Sequence, residues 1–269
     1  MTDSSYIHGH DPVEQRRLIA QAEYWRDSLI LPDLPYAAGD RLLDVGCGVG
    51  AVLGVIASAF PGLEMAGIDL APAQIAAARE HLSSLGARCD LRVGDATALP
   101  WPDASFDHVY MMWFLEHVGD PRPFLAEARR VLRAGGTITI NETDYSMLHV
   151  WPPSEDIEHL AAGQRALFRD AGNPMTGRAL GALLGSAGFE RVRCGPIGFH
   201  AHTGARDGAL RGLVDYLLGF LEAMVPRMVA AGFDEARLRA AVREMRALPE
   251  RPEASLTQIV FRASGSRPA

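Results

Sequence analysis

Leu42-Leu-Asp-Val-Gly-Cys-Gly-Val-Gly50 is an apolar run that gives way to glycine at every second position. The run reads as a buried strand, Arg41–Val45, and Ala51–Phe60 as the helix that follows it. Between them Gly46, Gly48 and Gly50 permit a tight turn and let backbone approach a ligand without Cβ interference. Gly46, Gly48 and Ala51 also satisfy the dinucleotide pattern G-x-G-x-x-G/A, so a nucleotide-dependent oxidoreductase stays open as an alternative.

The same alternation continues downstream. Strands are expected at Glu64–Asp69, Cys89–Val93, His108–Met112 and Thr137–Asn141, with helices at Ala73–Leu85 and Pro121–Leu132 and a turn at Gly135-Gly136. Repeated strand–helix units predict a parallel sheet covered by helices on both faces. Upstream, Asp11-Pro12 resembles a helix start, with a helix to about Leu29. Beyond the fifth strand the pattern loosens. Residues 142–174 read as an inserted helix with irregular flanks, Thr176–Ala187 as a helix and Glu190–Cys194 as a short strand. A long leucine-rich amphipathic stretch, Leu210–Met228, should kink or end at Pro226. Asp234 caps a further helix to about Leu248, Ser255–Ala263 makes a last strand, and Ser264–Ala269 is expected to be disordered.

With 269 residues and a formal charge of −7, the chain lacks the broad positive field that binding to phosphate backbones needs, so no nucleic-acid partner is expected. No stretch has the length of a membrane span, and the N-terminus has no signal-peptide pattern, so no membrane association and a cytoplasmic location are expected. Cys47, Cys89 and Cys194 are scattered and odd in number, which suggests neither a disulfide framework nor a zinc site. His8, His10, His200 and His202 lack thiols or carboxylates at recognised spacing, so no metal is expected.

Acids stand at three strand ends. Asp44 lies two residues before Gly46, where it would orient the loop or accept from a ligand amine, and where its charge would repel a pyrophosphate. Asp69 can accept from both hydroxyls of a ribose, and Asp95 can accept from an adenine amine beside the backbone N–H of Ala96.

Leu42–Gly50, Gly67-Ile-Asp-Leu70, Gly94-Asp-Ala96, Ser105-Phe-Asp-His-Val-Tyr110 and Arg130-Val-Leu-Arg-Ala-Gly-Gly136 together resemble class I S-adenosylmethionine-dependent methyltransferases, in particular the ubiquinone/menaquinone-biosynthesis-like small-molecule branch. The resemblance covers about Arg41 to Asn141. It implies a Rossmann-like, doubly wound α/β fold, a seven-stranded sheet whose last strand is antiparallel, here with an N-terminal helix and helical lid insertions. The chain is then one domain: residues 1–38 a helical lid, 39–144 the cofactor-binding core, 145–175 and 203–250 a helical substrate lid, and 176–202 with 251–264 the rest of the core. In that family the glycine loop, here Gly46, Cys47, Gly48 and Gly50, holds the methionine part of S-adenosylmethionine. The acid matching Asp69, followed by Leu70, holds the ribose, and the acid matching Asp95, with Ala96, the adenine. Met112 belongs to the same cofactor set, and Tyr6, Arg17 and Gln21 on the N-terminal lid are expected to reach the methionine carboxylate.

Ligands of open α/β sheets bind beyond the strands' carboxyl ends. The ends of the fourth and fifth strands therefore supply the acceptor side, with Trp113, Phe114 and Tyr145 as substrate contacts and His117 and Glu142 as candidate bases. The expected reaction is transfer of a methyl group to N, O or C of a small molecule by in-line displacement. A non-catalytic cofactor-binding module is the other alternative. The leucine-rich helices suit either a lid or a dimer face, so the chain is expected to be a monomer or homodimer.

Overall fold

The computed structural model describes residues 12–205 and 208–269. In chain order the elements are α1 (Pro12–Trp25), β1 (Arg41–Val45), α2 (Ala51–Ala59), β2 (Glu64–Asp69), α3 (Pro72–Ser84), β3 (Cys89–Val93), β4 (Phe106–Met112), α4 (Arg122–Val131) and β5 (Leu132–Thr143). Then follow β6 (His149–Trp151), α5 (Glu155–Ala171), α6 (Thr176–Ser186), β7 (Glu190–His202), α7 (Ala209–Ala230), α8 (Glu235–Ala247) and β8 (Ser255–Ser266). After α1 a π-helical turn, Arg26–Ile30, carries the chain toward the sheet.

β1 pairs in parallel with β2 and β4, β2 with β3, and β4 with β5. β8 runs antiparallel between β5 and β7, so the order is β3-β2-β1-β4-β5-β8-β7, with the direction of winding reversed between β1 and β4. That is the expected doubly wound sheet with an antiparallel last strand. It has eight strands rather than seven, because His149-Val150-Trp151 adds three residues to β8 where β5 has already left it. β7 is longer than expected, since Ile197, Phe199 and Ala201 continue the alternation past Pro196. Proline is tolerated there because β7 is an edge strand. Gly135-Gly136 lies inside β5, at a register shift opposite Phe106 and His108. The C-terminal residues to Ser266 are paired strand, correcting the expectation of disorder from residue 264. α7 likewise continues through Pro226, with Met224, Val225 and Met228 buried around it.

Two apolar layers cover the sheet. One includes Leu125, Leu132, Ile138, Leu180 and Leu184 beside α4 and α6, and the other takes in α1 to α3 together with α5, α7 and α8. Leu213, Leu217 and Leu221 of α7 are spent inside this second layer, where α5, α7 and α8 pack on one another.

A polar knot fastens the N-terminal segment to that layer. Arg262 on β8 donates to Asn141 Oδ1 at 2.9 Å, to the carbonyl of Ile30 at 3.1 Å, and to the carbonyls of Leu29 and Pro32. Asn141 donates to the Tyr110 hydroxyl at 2.7 Å. A guanidinium fork suits this task because its fixed donors meet several carbonyls at once. Arg262→Met should lower unfolding stability by about 1.5–3 kcal/mol through loss of charge-assisted bonds and orphaned carbonyls. Urea denaturation of the two proteins reads this as a shift in midpoint, and an unchanged midpoint would remove the knot from the account of stability.

Candidate functional site

A cleft of about 530 Å³ opens over the carboxyl ends of the strands on both sides of the β1–β4 switch, with α1 and α7 above it. Its first half is built by the glycine loop. Gly46, Gly48 and Gly50 have φ of +75°, +50° and +70°, a region that side-chain-bearing residues rarely occupy. A Cβ on Gly46 would lie 2.4 Å from the Phe114 ring, whereas one on Gly48 would point into open space, so the loop presents bare backbone to the cleft. Asp69 holds this shape, its Oδ2 accepting from Gly48 N at 2.9 Å and its Oδ1 from Ala71 N at 2.9 Å.

Of the residues singled out from the sequence for a cofactor, Gly46, Cys47, Gly48, Asp69, Leu70, Asp95, Ala96, Met112, Arg17 and Gln21 line the cleft. Tyr6 lies outside the described residues. Gly50 caps α2 behind the loop, close to Ala78 and Leu82. Asp95 accepts from Thr97 N and Oγ1, both at 2.8 Å, which holds its carboxyl below the usual carboxylate range. Arg17 donates to Glu14 at 2.6 Å and to Gln21, and its guanidinium sits 5.7 Å above the Phe220 ring.

Asp44 does not reach the cleft surface. It is buried beneath the loop, its Oδ2 has no hydrogen-bond partner among the described residues, and burial together with the nearby Asp69 pushes its pKa up to about 8. At neutral pH it is mostly protonated, so the expected repulsion of a pyrophosphate by its charge does not arise.

The second half begins where β4 ends. Trp113 takes φ +50°, an uncommon conformation for a bulky residue, and its indole donates to Thr143 Oγ1 at 2.9 Å. Phe114 packs against Gly46 and, edge-on at 5.2 Å, against Phe124, which places it on the side of Ala96 rather than of Thr143. Trp113, Phe114, His117 and Tyr145 all line the cleft, but Glu142 does not. It is completely buried, and its carboxylate accepts from the backbone N–H groups of Phe114, Leu115 and Glu116 at 3.0, 2.7 and 3.2 Å.

Glu116 does line the cleft and bridges inward to this group. Its carboxyl contacts Glu142, accepts from the Tyr145 hydroxyl at 2.8 Å and stands 3.7 Å from His117 Nε2. Burial, and then repulsion by Glu142, raise the pKa of Glu116 well above normal, while burial raises Glu142 only to about 7, because its three N–H donors favour charge there. The proton of the pair therefore resides on Glu116. Burial alone lowers His117 to about 4, so it is neutral at physiological pH. Asp144, also fully buried, is paired with Arg178 and accepts from Ser146, away from the cleft lining.

Glu116, Thr143, Tyr216, Phe220 and Gln258 line the cleft and were not singled out from the sequence. Gln258 had a signal: it falls in phase with Leu256 and Val260, a polar residue in an apolar row. Tyr216 and Phe220, one turn apart on α7, were hidden among leucines, and their proximity to the cleft depends on tertiary packing. Among the described residues no cluster of histidine, cysteine and acidic side chains is arranged to hold a metal, and no helix is long and apolar enough to cross a membrane.

Strand order, reversed strand and glycine loop define the class I methyltransferase architecture. Residues 43–140 match the family described as methyltransferase domain. The chain is 34% identical over 207 residues to an uncharacterised 37.1 kDa protein of transposon TN4556 from Streptomyces fradiae, covering 77% of this chain and 57% of that protein. It is also 34% identical over 163 residues to a demethylmenaquinone methyltransferase of Tropheryma whipplei, covering 54% of this chain and 66% of the relative. The chain thus spans under two thirds of the length of either relative. Among solved structures it is similar to a Haemonchus contortus phosphoethanolamine N-methyltransferase crystallised with S-adenosyl-L-methionine. That likeness has a TM-score of 0.59 at 18% identity, over 96% of this chain and 57% of that one, and shows the fold.

Asp44 supplies a test of the electrostatics. Its carboxyl is protonated more readily in the folded than in the unfolded chain, so its contribution to stability is full below about pH 4 and is lost as pH rises toward 8. Asp44→Asn, which mimics the protonated acid, should match the parent only near or below pH 4, gain in melting temperature relative to it from there up to about pH 8, and then hold a constant lead. A lead that does not vary with pH would contradict a protonated Asp44.

Proposed function

We propose that this protein binds S-adenosylmethionine at the glycine loop and transfers its methyl group to N, O or C of a small molecule held in the second half of the cleft. The observation that carries the proposal is the division of one cavity into two chemically distinct halves that meet at the β1–β4 switch. One half has bare loop backbone with Asp69 and Asp95, and the other has aromatic rings with a buried acid. The residues fit the cofactor in kind: Gly48 leaves open space where a side chain would stand, Asp69 can take a ribose, and Asp95 with Ala96 an adenine. Because Asp44 is mostly neutral, charge at the loop does not separate this cofactor from a dinucleotide. Preference for the former is supported by Asp95 and by the methyltransferase-domain match over residues 43–140.

When bound, the cofactor supplies an electrophilic methyl on a sulfonium. The chain's part is to exclude water and to fix the acceptor in line, which supplies much of the acceleration. Residues 1–38, 145–175 and 203–250 are read as cover for the cleft, a role supported by Arg17, Leu18, Tyr216 and Phe220 in its lining. A lid is favoured over a dimer face for α7, whose leucines are buried within the chain. Where the acceptor must lose a proton, His117 is the candidate base, neutral and at the cleft. Glu142 acts as a positioning residue through its bonds to residues 114–116. Small metabolites or natural products suit a cleft of about 530 Å³.

Calorimetric titration should show binding of S-adenosylhomocysteine and none of NADH; the reverse result would overturn the proposal. Asp69→Ala should weaken S-adenosylhomocysteine about 10- to 100-fold, by loss of charge-assisted bonds to ligand and loop. In a screen of candidate acceptors for release of S-adenosylhomocysteine, His117→Ala should lower kcat about 100-fold or more at unchanged cofactor affinity if the base is used.

A further inference from the structure

Gln258 is a buried amide with unmet hydrogen-bonding capacity. It is 5% exposed, lines the cleft, and its Oε1 has no partner among the described residues. An amide placed in an apolar row without its bonds is costly, so its partner is expected among the molecules that enter the cleft. The register places it on the acceptor side. Arg262 bonds Asn141, Val260 lies opposite Thr143, and Gln258 continues that same face of β8 beyond the point where β5 leaves. β8 stands two strands past β4, so Gln258 lies roughly 10 Å beyond the switch at which the cofactor half ends. A fused pair of aromatic rings fits within that span, and Trp113, Tyr145, Tyr216 and Phe220 wall the space.

The charges around this space exclude one class of ligand. Glu116, with Glu142 behind it, His117 held neutral, and Tyr145 and Tyr216 line it from beyond β4, beyond β5 and from α7. The cation at its rim, Arg17, is bonded to Glu14. An anionic group would meet the negative charge that the Glu116–Glu142 pair carries, and among the described residues that line the cleft Arg17 is the one arginine or lysine.

Resting on the methyl-transfer reading, we propose that the acceptor is an uncharged or cationic ring compound carrying an O–H or N–H donor, and that the buried amide oxygen of Gln258 recognises this donor. Gln258 is thus a specificity-determining residue, remote from the transferred methyl.

Three naphthalenes of one shape test this: 2-naphthol, 2-methoxynaphthalene and 2-naphthoate, titrated into the full chain with and without saturating S-adenosylhomocysteine and followed by ligand-detected NMR. Wild type should bind 2-naphthol about tenfold more tightly than either of the others. Gln258→Met, similar in volume, should abolish that preference while S-adenosylhomocysteine affinity stays as in the parent and melting temperature does not fall, and Gln258→Glu, which keeps an acceptor oxygen, should retain it. Equal affinity for naphthol and methyl ether, tightest binding of naphthoate, no binding of any of the three, or a preference that survives in Gln258→Met would each overturn the inference. Should Gln258→Met fail to fold, the wild-type and Gln258→Glu rankings decide alone. A protein that ignores S-adenosylhomocysteine yet selects 2-naphthol through Gln258 would overturn the cofactor reading and leave the recognition of a donor standing.

Discussion

The cleft exists in its present shape because one buried acid, Glu142, caps the start of a single 3-10 turn, Leu115–His117. β4 ends at Met112, and the backbone N–H groups of Phe114, Leu115 and Glu116 stand at the start of the 3-10 turn, where the turn itself offers them no acceptor. Glu142, at the end of β5, accepts all three. Buried N–H groups without partners would cost about 1–3 kcal/mol each, so this side chain fixes the path of residues 113–117 at little freedom. Trp113 is consequently held at positive φ, the Phe114 ring is pressed on Gly46, and Glu116 and His117 are turned to the cleft. The two halves of the site share this turn: Phe114 shapes the glycine loop on one side, and Glu116 makes the acidic floor on the other.

Around the loop the logic is similar but the partner is Asp69. Gly46 N and Cys47 N donate to the carbonyl of Ile68 at 2.9 and 3.0 Å, and Asp69 itself holds Gly48 N. The loop is therefore preformed by the end of β2 and needs no ligand to order it. Asp44 adds a neutral carboxyl beneath, so the negative charge at the ligand surface comes from Asp69 and Asp95.

Residues 41–140 were legible because the βα units announce themselves: short apolar runs, or in β3 the alternation of Cys89, Leu91 and Val93 with charged residues, glycine at the turns and helical spacing between them. β1, β2 and β3 have their expected bounds for that reason. The second half was less legible. β7 hides behind Gly195-Pro196, whose composition suggests a break, yet an edge strand has an unpaired side on which a proline costs nothing. β6 is three residues that become a strand only because β8 has a vacant edge beside them. In the site, strand-end acids were visible, but which of Glu116 and Glu142 faces the cleft was not. Period-two alternation puts Glu142 on the face opposite Asn141 and Thr143, and only the turn it supports brings Glu116 to the opening.

α1 and the turn that follows it are tied to the sheet through their C-terminal end. At that end, Leu29 and Ile30 are fully buried and their carbonyls are held by Arg262, while Trp25 packs 4.2 Å from Phe199 and 5.1 Å from Tyr216. Nearer its start, α1 meets the rest of the site through polar contacts such as Gln15 to Gln74 at 3.3 Å, with Val13 exposed to solvent. Apolar burial and charge-assisted bonds to three carbonyls therefore fix the C-terminal end of the segment over β4, β5 and β8. The start of α1 lies instead over α3, and between the two ends Arg17, Leu18 and Gln21 are carried to the lining of the cleft. One fastening at β8 thus sets where α1 crosses the glycine loop, although the two are far apart in the sequence.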